Sequence, residues 1–250
     1  MFVAKRGILT FRGIQPRLFS TSNYLSTTHI VKVEAPLGIG SGTIARALAK
    51  KVEYQYIPVL EILKAIVFKA TNKAPSYKHM MQPEKILNFI RDTEIECIYD
   101  PKLDYKIFVD RDDITAATLG LKPLAAITKR LQETPSVQKA LLDRVARVIC
   151  EHEAQGVVFS TYMTRLQTPC DVSIFLQADL ETRMKLEMRR AKAKNLNIDL
   201  EKLRNGLIHH DKISKTFSTL DENTQILDIS NMKLAHIVRK CEDIIKKSRS

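Results

Sequence analysis

Nine residues, Ala35-Pro36-Leu37-Gly38-Ile39-Gly40-Ser41-Gly42-Thr43, constrain this chain more than any others. They follow a short apolar run that starts at Ile30. They precede Ile44 to Val52, a segment of small and apolar residues that reads as a helix. A strand, a glycine turn and a helix in that order make the first unit of a doubly wound α/β fold. The turn has the look of a phosphate-binding loop, G-x-x-x-x-G-K-[ST]. In such a loop the glycines let backbone N–H groups close round phosphates, and the lysine reaches the β- and γ-phosphates. Gly38, Gly40, Gly42 and Thr43 keep the pattern, but Ala35 stands at the first glycine and Ser41 at the lysine. The shape of a nucleotide site is expected here without the charge that counters a transferring phosphate. Gly38, Gly40, Ser41, Gly42 and Thr43 are therefore read as a vestigial nucleotide-binding set.

The 250 residues suffice for one large α/β domain with its own core. Hydrophobic and charged fractions of 44% and 27% are ordinary for a globular chain. No apolar run approaches the roughly 20 residues of a membrane-spanning helix. Cys97, Cys150, Cys170 and Cys241 show neither C-x-x-C pairing nor zinc-ligand spacing with histidine, and are read as reduced thiols. His209-His210 has no cysteine or acidic ligand set beside it and reads as polar surface, so no metal site is expected. Residues 1–28 differ from the rest. They contain Lys5, Arg6, Arg12 and Arg17, no acid, several Ser and Thr, and interleaved Phe, Leu and Ile. That composition reads as a mitochondrial transit peptide, which places the mature protein, 29–250, in the matrix. Removing four basic residues from a net charge of +12 leaves +8, so the mature chain stays basic.

Further helical patterns run from Pro58 to Lys69, Pro83 to Tyr99, Lys122 to Leu131 and Pro135 to about Cys150. Others run over Leu180–Ala193, Leu200–His209 and Lys233–Lys247. Tyr105–Val109, Gly156–Phe159, Val172–Leu176 and Gln225–Ile229 read as strands. The core strands are short apolar runs without alternation, as in a parallel sheet covered on both faces.

The order of these landmarks resembles bacterial-type cytidylate kinase, across nearly all of residues 29–247. The glycine turn matches the family's GPSGSGKGT-like start. Asp113-Ile114-Thr115 resembles its D-V-T, and Ala125 to Leu142 its A-S-x-V-A-x-x-P-x-V-R-x-x-L-L segment. Asp171 to Phe175 resembles the D-x-K-I-F strand. Arg183 to Arg190 resembles the arginine-bearing helix that enters the lid, and Ile226 to Ser230 the final V-I-D-[TS]-[ST] strand. The resemblance implies a P-loop, doubly wound parallel sheet with helices on both faces. It also implies helical insertions for nucleoside-monophosphate binding and for the lid.

The departures fall where the family does chemistry. D-T-G-A-M-Y-R laid on Pro58 to Lys64 puts Pro58 for the aspartate, Leu60 for the glycine and Lys64 for the arginine. D-G-R-D-I-G-T is replaced by Ser160-Thr161-Tyr162-Met163. The R-T arginine falls near Leu119-Gly120. The lid motif R-D-x-R-D-x-x-R falls near Leu207 to Ser214, where Asp211, Lys212 and Lys215 are what is left. Phosphoryl transfer rests on positioning and electrostatic stabilisation, and one lost charged partner costs ~10²–10³ in rate. Losses at four separate motifs point to a pseudoenzyme with no catalytic residues and no required cofactor. ATP with Mg²⁺ on Thr43 is what such a loop would take if it still took a ligand.

Two basic stretches suggest a partner. Arg183 to Lys215 carries ten Lys/Arg against four Asp/Glu, and Lys233 to Arg249 six against two. Clustered cations supply phosphate binding without sequence readout. The expected RNA-contacting set is Arg183, Lys185, Arg189, Arg190, Lys192, Lys194, Lys212 and Lys215. Arg183 and Arg190 share one helix face, and Arg189 and Lys192 a second. The expected function is a mitochondrial RNA or ribonucleoprotein factor, in splicing, maturation or translation. Two alternatives stand beside it. One is a divergent active nucleoside monophosphate kinase in which Lys50, Lys51 or Lys64 replaces the lost lysine. The other is an assembly factor that docks proteins on the same scaffold.

Overall fold

The computed structural model describes residues 28–73, 83–98, 100, 105–116, 135–150, 155–161, 170–193, 195–215, 220 and 223–249. Its strands are β1 (His29–Glu34), β2 (Gln55–Ile57), β3 (Ile95–Ile98), β4 (Lys106–Val109), β5 (Asp112–Asp113), β6 (Gly156–Thr161), β7 (Val172–Gln177) and β8 (Gln225–Asp228). Its helices are α1 (Ser41–Val52), α2 (Val59–Lys73), α3 (Pro83–Asp92), α4 (Pro135–Cys150), α5 (Leu180–Ala193), α6 (Leu200–Lys215) and α7 (Leu234–Ser248). The main sheet runs β2-β6-β1-β7-β8 with every pairing parallel. This is the α/β doubly wound sheet that the apolar runs imply.

Five consecutive residues of the central strand, Ile30 to Glu34, are all buried, so both faces of the sheet are covered. α1 and α7 pack on each other and against β6 and β7, while α2 packs on β6 and α4. α7 lays Ile237, Val238, Cys241 and Ile245 into the core at helical spacing. Burial pushes the Cys97 and Cys241 thiols up to about 12. His209 is exposed and His210 half-buried.

A second sheet, β3-β4-β5, is antiparallel and was not expected as such. The expected helix from Pro83 to Tyr99 stops at Asp92. The Thr93 N–H donates to the Phe89 carbonyl at 3.1 Å, closing the last turn, and the chain re-emerges as β3. The cause lies in Ile95 to Ile98, where Ile95 and Cys97 are buried and Glu96 and Ile98 are not: a period of two, which a strand satisfies. Asp113 is a structural residue of this sheet. Its carboxylate accepts the Thr115 N–H at 3.0 Å and the Thr115 hydroxyl at 2.7 Å, which holds its pKa below the usual range. Residues 1–27, the predicted helix Lys122–Leu131 and the segment 162–169 lie outside the described residues.

Candidate functional site

Six residues, 35–40, link β1 to α1. Gly38 (φ 97) and Gly40 (φ 83) both take the left-handed conformation that side chains disfavour. Gly40 caps α1, and its carbonyl accepts the N–H groups of Thr43 (3.0 Å) and Ile44 (3.3 Å). The positive end of the α1 dipole therefore faces the turn. The strand leading into it holds a buried ion pair, Lys32–Glu34 at 3.3 Å, with both side chains under 10% exposed. Lys and Glu two apart in an otherwise apolar strand were the available signal for that pair.

Two arginines of α5 stand on the turn. Arg183 is buried, donates from Nε to the Leu37 carbonyl at 2.8 Å, and grips both carboxylate oxygens of Asp211 on α6 at 2.6 and 2.8 Å. Arg190, two turns along, donates to the carbonyls of Gly38 (3.0 Å) and Ile39 (2.5 Å) and pairs with Glu187. Three consecutive loop carbonyls are thus held by one helix. A Cβ placed on Gly38 would lie 3.1 Å from both Arg183 Cβ and Leu207 Cδ2, and one on Gly40 would lie 2.7 Å from Arg190 Cζ. The glycines admit the lid helices α5 and α6 directly onto the loop.

The expected phosphate-contacting cations divide in consequence. Arg183 and Arg190 share a face, as their spacing implies, but that face is turned onto the loop, and both guanidiniums are committed to carbonyls and carboxylates. Lys185, Arg189 and Lys192 are exposed on α5, and Lys212 on α6. The side chains of Lys194 and Lys215 lie outside the described residues. The idea that Lys50 or Lys51 replaces the lost lysine is overturned. They occupy the last turn of α1, about 14 Å from Ser41 at 1.5 Å per residue, and Lys51 pairs with Glu242 at 3.8 Å.

Beside the turn, a cluster absent from the sequence reading fills the opposite flank. The Tyr56 and Ser160 hydroxyls meet at 3.4 Å on the β2–β6 boundary. Arg46 of α1 lies over the rings of Tyr56 (5.4 Å) and Tyr105 (5.5 Å). Burial raises the Tyr56 pKa to about 12, and burial raises that of Glu61 too, against the nearby cations of Lys64 and Arg46. The end of β6 offers the Ser160 hydroxyl. Among the described residues no group of His, Cys, Asp or Glu could hold a metal ion.

Against known proteins, the family model described as Cytidylate kinase matches residues 31–247. The curated cytidylate kinase of Geobacillus thermodenitrificans strain NG80-2 is 25% identical over 191 residues, 76% of this chain and 82% of that protein. That of Leuconostoc mesenteroides subsp. mesenteroides strain ATCC 8293 is 25% identical over 234 residues, 90% and 99% of the two chains. That of Bacillus subtilis strain 168 is 24% identical over 209 residues, 82% and 90%. With a match that runs from β1 through the glycine turn and both lid helices into α7, the chain belongs to the cytidylate kinase family.

Proposed function

We propose that this chain is a non-catalytic member of the cytidylate kinase family that acts in mitochondrial RNA metabolism, in splicing, maturation or translation. One observation carries the loss of catalysis. Ser41 stands in the first turn of α1 where the family has its lysine, and the guanidiniums nearest the turn are engaged with its carbonyls. Phosphoryl transfer needs cations aimed at the phosphates, and donors taken up by Leu37, Gly38 and Ile39 are not aimed there. Ser160 at the end of β6 adds a hydroxyl, which cannot act as a carboxylate base. The RNA half of the reading rests on the net charge of +8 beyond residue 28 and on the exposed cations of α5 and α6.

Incubation of the purified protein with ATP and CMP, dCMP or UMP should form no product above a no-enzyme control. Tagged purification from mitochondria should recover a defined RNA, with protein partners identified in the same sample. The second reading, a divergent nucleoside monophosphate kinase, draws on the family itself and on the retained Thr43. A turnover near the ~1–100 s⁻¹ of kinases would establish it. Recovery of protein partners without RNA would favour the docking scaffold.

A further inference from the structure

Helix α5 is basic on two faces, and the fold uses one of them. At 100° per residue, Lys185, Arg189 and Lys192 fall within an arc of about 60° that lies opposite Arg183 and Arg190. All three are exposed. Among the described residues, Arg189 and Lys192 have no carboxylate partner. Lys185 approaches Glu181 at 3.9 Å, but both side chains stand in solvent, 70% and 86% exposed, where such a pair is worth little. The three cations are four and three residues apart, about 6 and 4.5 Å along the axis. Their helix is fixed from behind by the bonds of Arg183 and Arg190 to the loop and to Asp211, so the row is held in place before any partner arrives.

We propose that this outer face of α5 is a track for an RNA phosphodiester backbone, with Lys185, Arg189 and Lys192 on neighbouring phosphates and no base readout. The proposal rests on the RNA reading above and gives it a location. A fixed row of cations suits a repeating anion. The face carries one exposed large apolar side chain, Met188, too little apolar area to insert into a membrane surface.

The test uses the full chain and its K185Q/R189Q/K192Q variant. Binding is measured to fluorescent single-stranded and duplex RNAs of two unrelated sequences, over about 50 to 200 mM salt. The variant should bind both sequences at least tenfold more weakly at low salt. Its log–log salt slope on single strands should be shallower by about 2, three phosphates at ~0.7 each. Arg239→Gln, an exposed cation of α7 outside the row, should keep the native slope. If native chain and triple variant bind with the same slope, the track is elsewhere and this inference fails while the RNA reading stands. If the native chain binds neither RNA, the RNA reading itself fails. Phosphatidylserine vesicles form a last arm: loss of vesicle binding with RNA binding intact would assign the face to lipid and overturn the proposal.

Discussion

Arg190 and Gly40 depend on each other. The guanidinium lies where any side chain on residue 40 would begin, and the backbone there has φ 83. Gly40→Ala should therefore cost about 2 kcal/mol or more in urea denaturation, part from the left-handed backbone and part from the clash. In an Arg190→Ala background the same substitution should cost less, and the difference measures the contact. Ser41→Lys should raise ATP affinity, because a cation then meets the β- and γ-phosphates. On the non-catalytic reading it should not yield turnover, since residues that act as a unit are not restored by one change. Robust phosphorylation by this single variant would show that the other motifs are misplaced and that the acceptor side is intact. His29 offers a pH prediction. Burial against Tyr54 holds its imidazole below the ordinary 6.5, more than the Asp171 carboxylate raises it. A depressed folded pKa means that the unfolded chain binds the proton first. The contribution of His29 is thus present above pH 6.5 and lost as pH falls through the lower folded value. Melting temperatures taken downward from pH 7 should fall less steeply in His29→Gln than in the native chain.

At the scale of elements, α5 and α6 behave as one unit with the glycine turn. The Arg183–Asp211 pair is the joint between them, and the Arg183 side chain is 5% exposed. Asp211→Ala would leave a buried guanidinium without its carboxylate, at a cost of about 3 kcal/mol. Limited proteolysis should then open α6 before the main sheet. An unchanged cleavage pattern would show that the lid is held by other contacts. The boundaries of α5 were legible to the residue, because its acidic first turn, its basic last turn and Asn195 beyond it (φ 52) are local signals. Which basic face turned inward was not legible: a helical wheel separates Arg183 and Arg190 from Arg189 and Lys192 but does not say which side meets the loop. The β4–β5 hairpin was missed for a different reason. Its turn residues, Asp110 and Arg111, both have positive φ (50 and 68), yet the pair lacks the Gly or Asn that marks such turns. The parallel sheet was readable because its inner strands, β1, β6 and β7, are mostly buried and stand out as largely apolar runs, whereas the edge strand β8 is mostly exposed. The Tyr56–Arg46–Tyr105 cluster was not readable, since it joins residues from α1, β2 and the position just before β4 that no short spacing relates.

At the scale of the whole molecule, Thr28 is buried and β1 opens at His29, so the core sheet starts where the acid-free segment 1–28 ends. Deleting residues 1–28 should leave the chain in the cytosol with a native circular dichroism spectrum. Continued import, or loss of the fold, would move the boundary. The packing of the lid on the turn has a wider implication for how such chains diverge. Substitutions at Gly38 and Gly40 are opposed by Arg183, Leu207 and Arg190, whether or not a phosphate ever visits. Once neighbouring side chains have grown into the space that a motif leaves open, selection for folding alone preserves the motif. A sequence pattern that arose to bind a ligand can then outlive that use, so the presence of the glycines in a divergent relative dates its ancestry without reporting its chemistry.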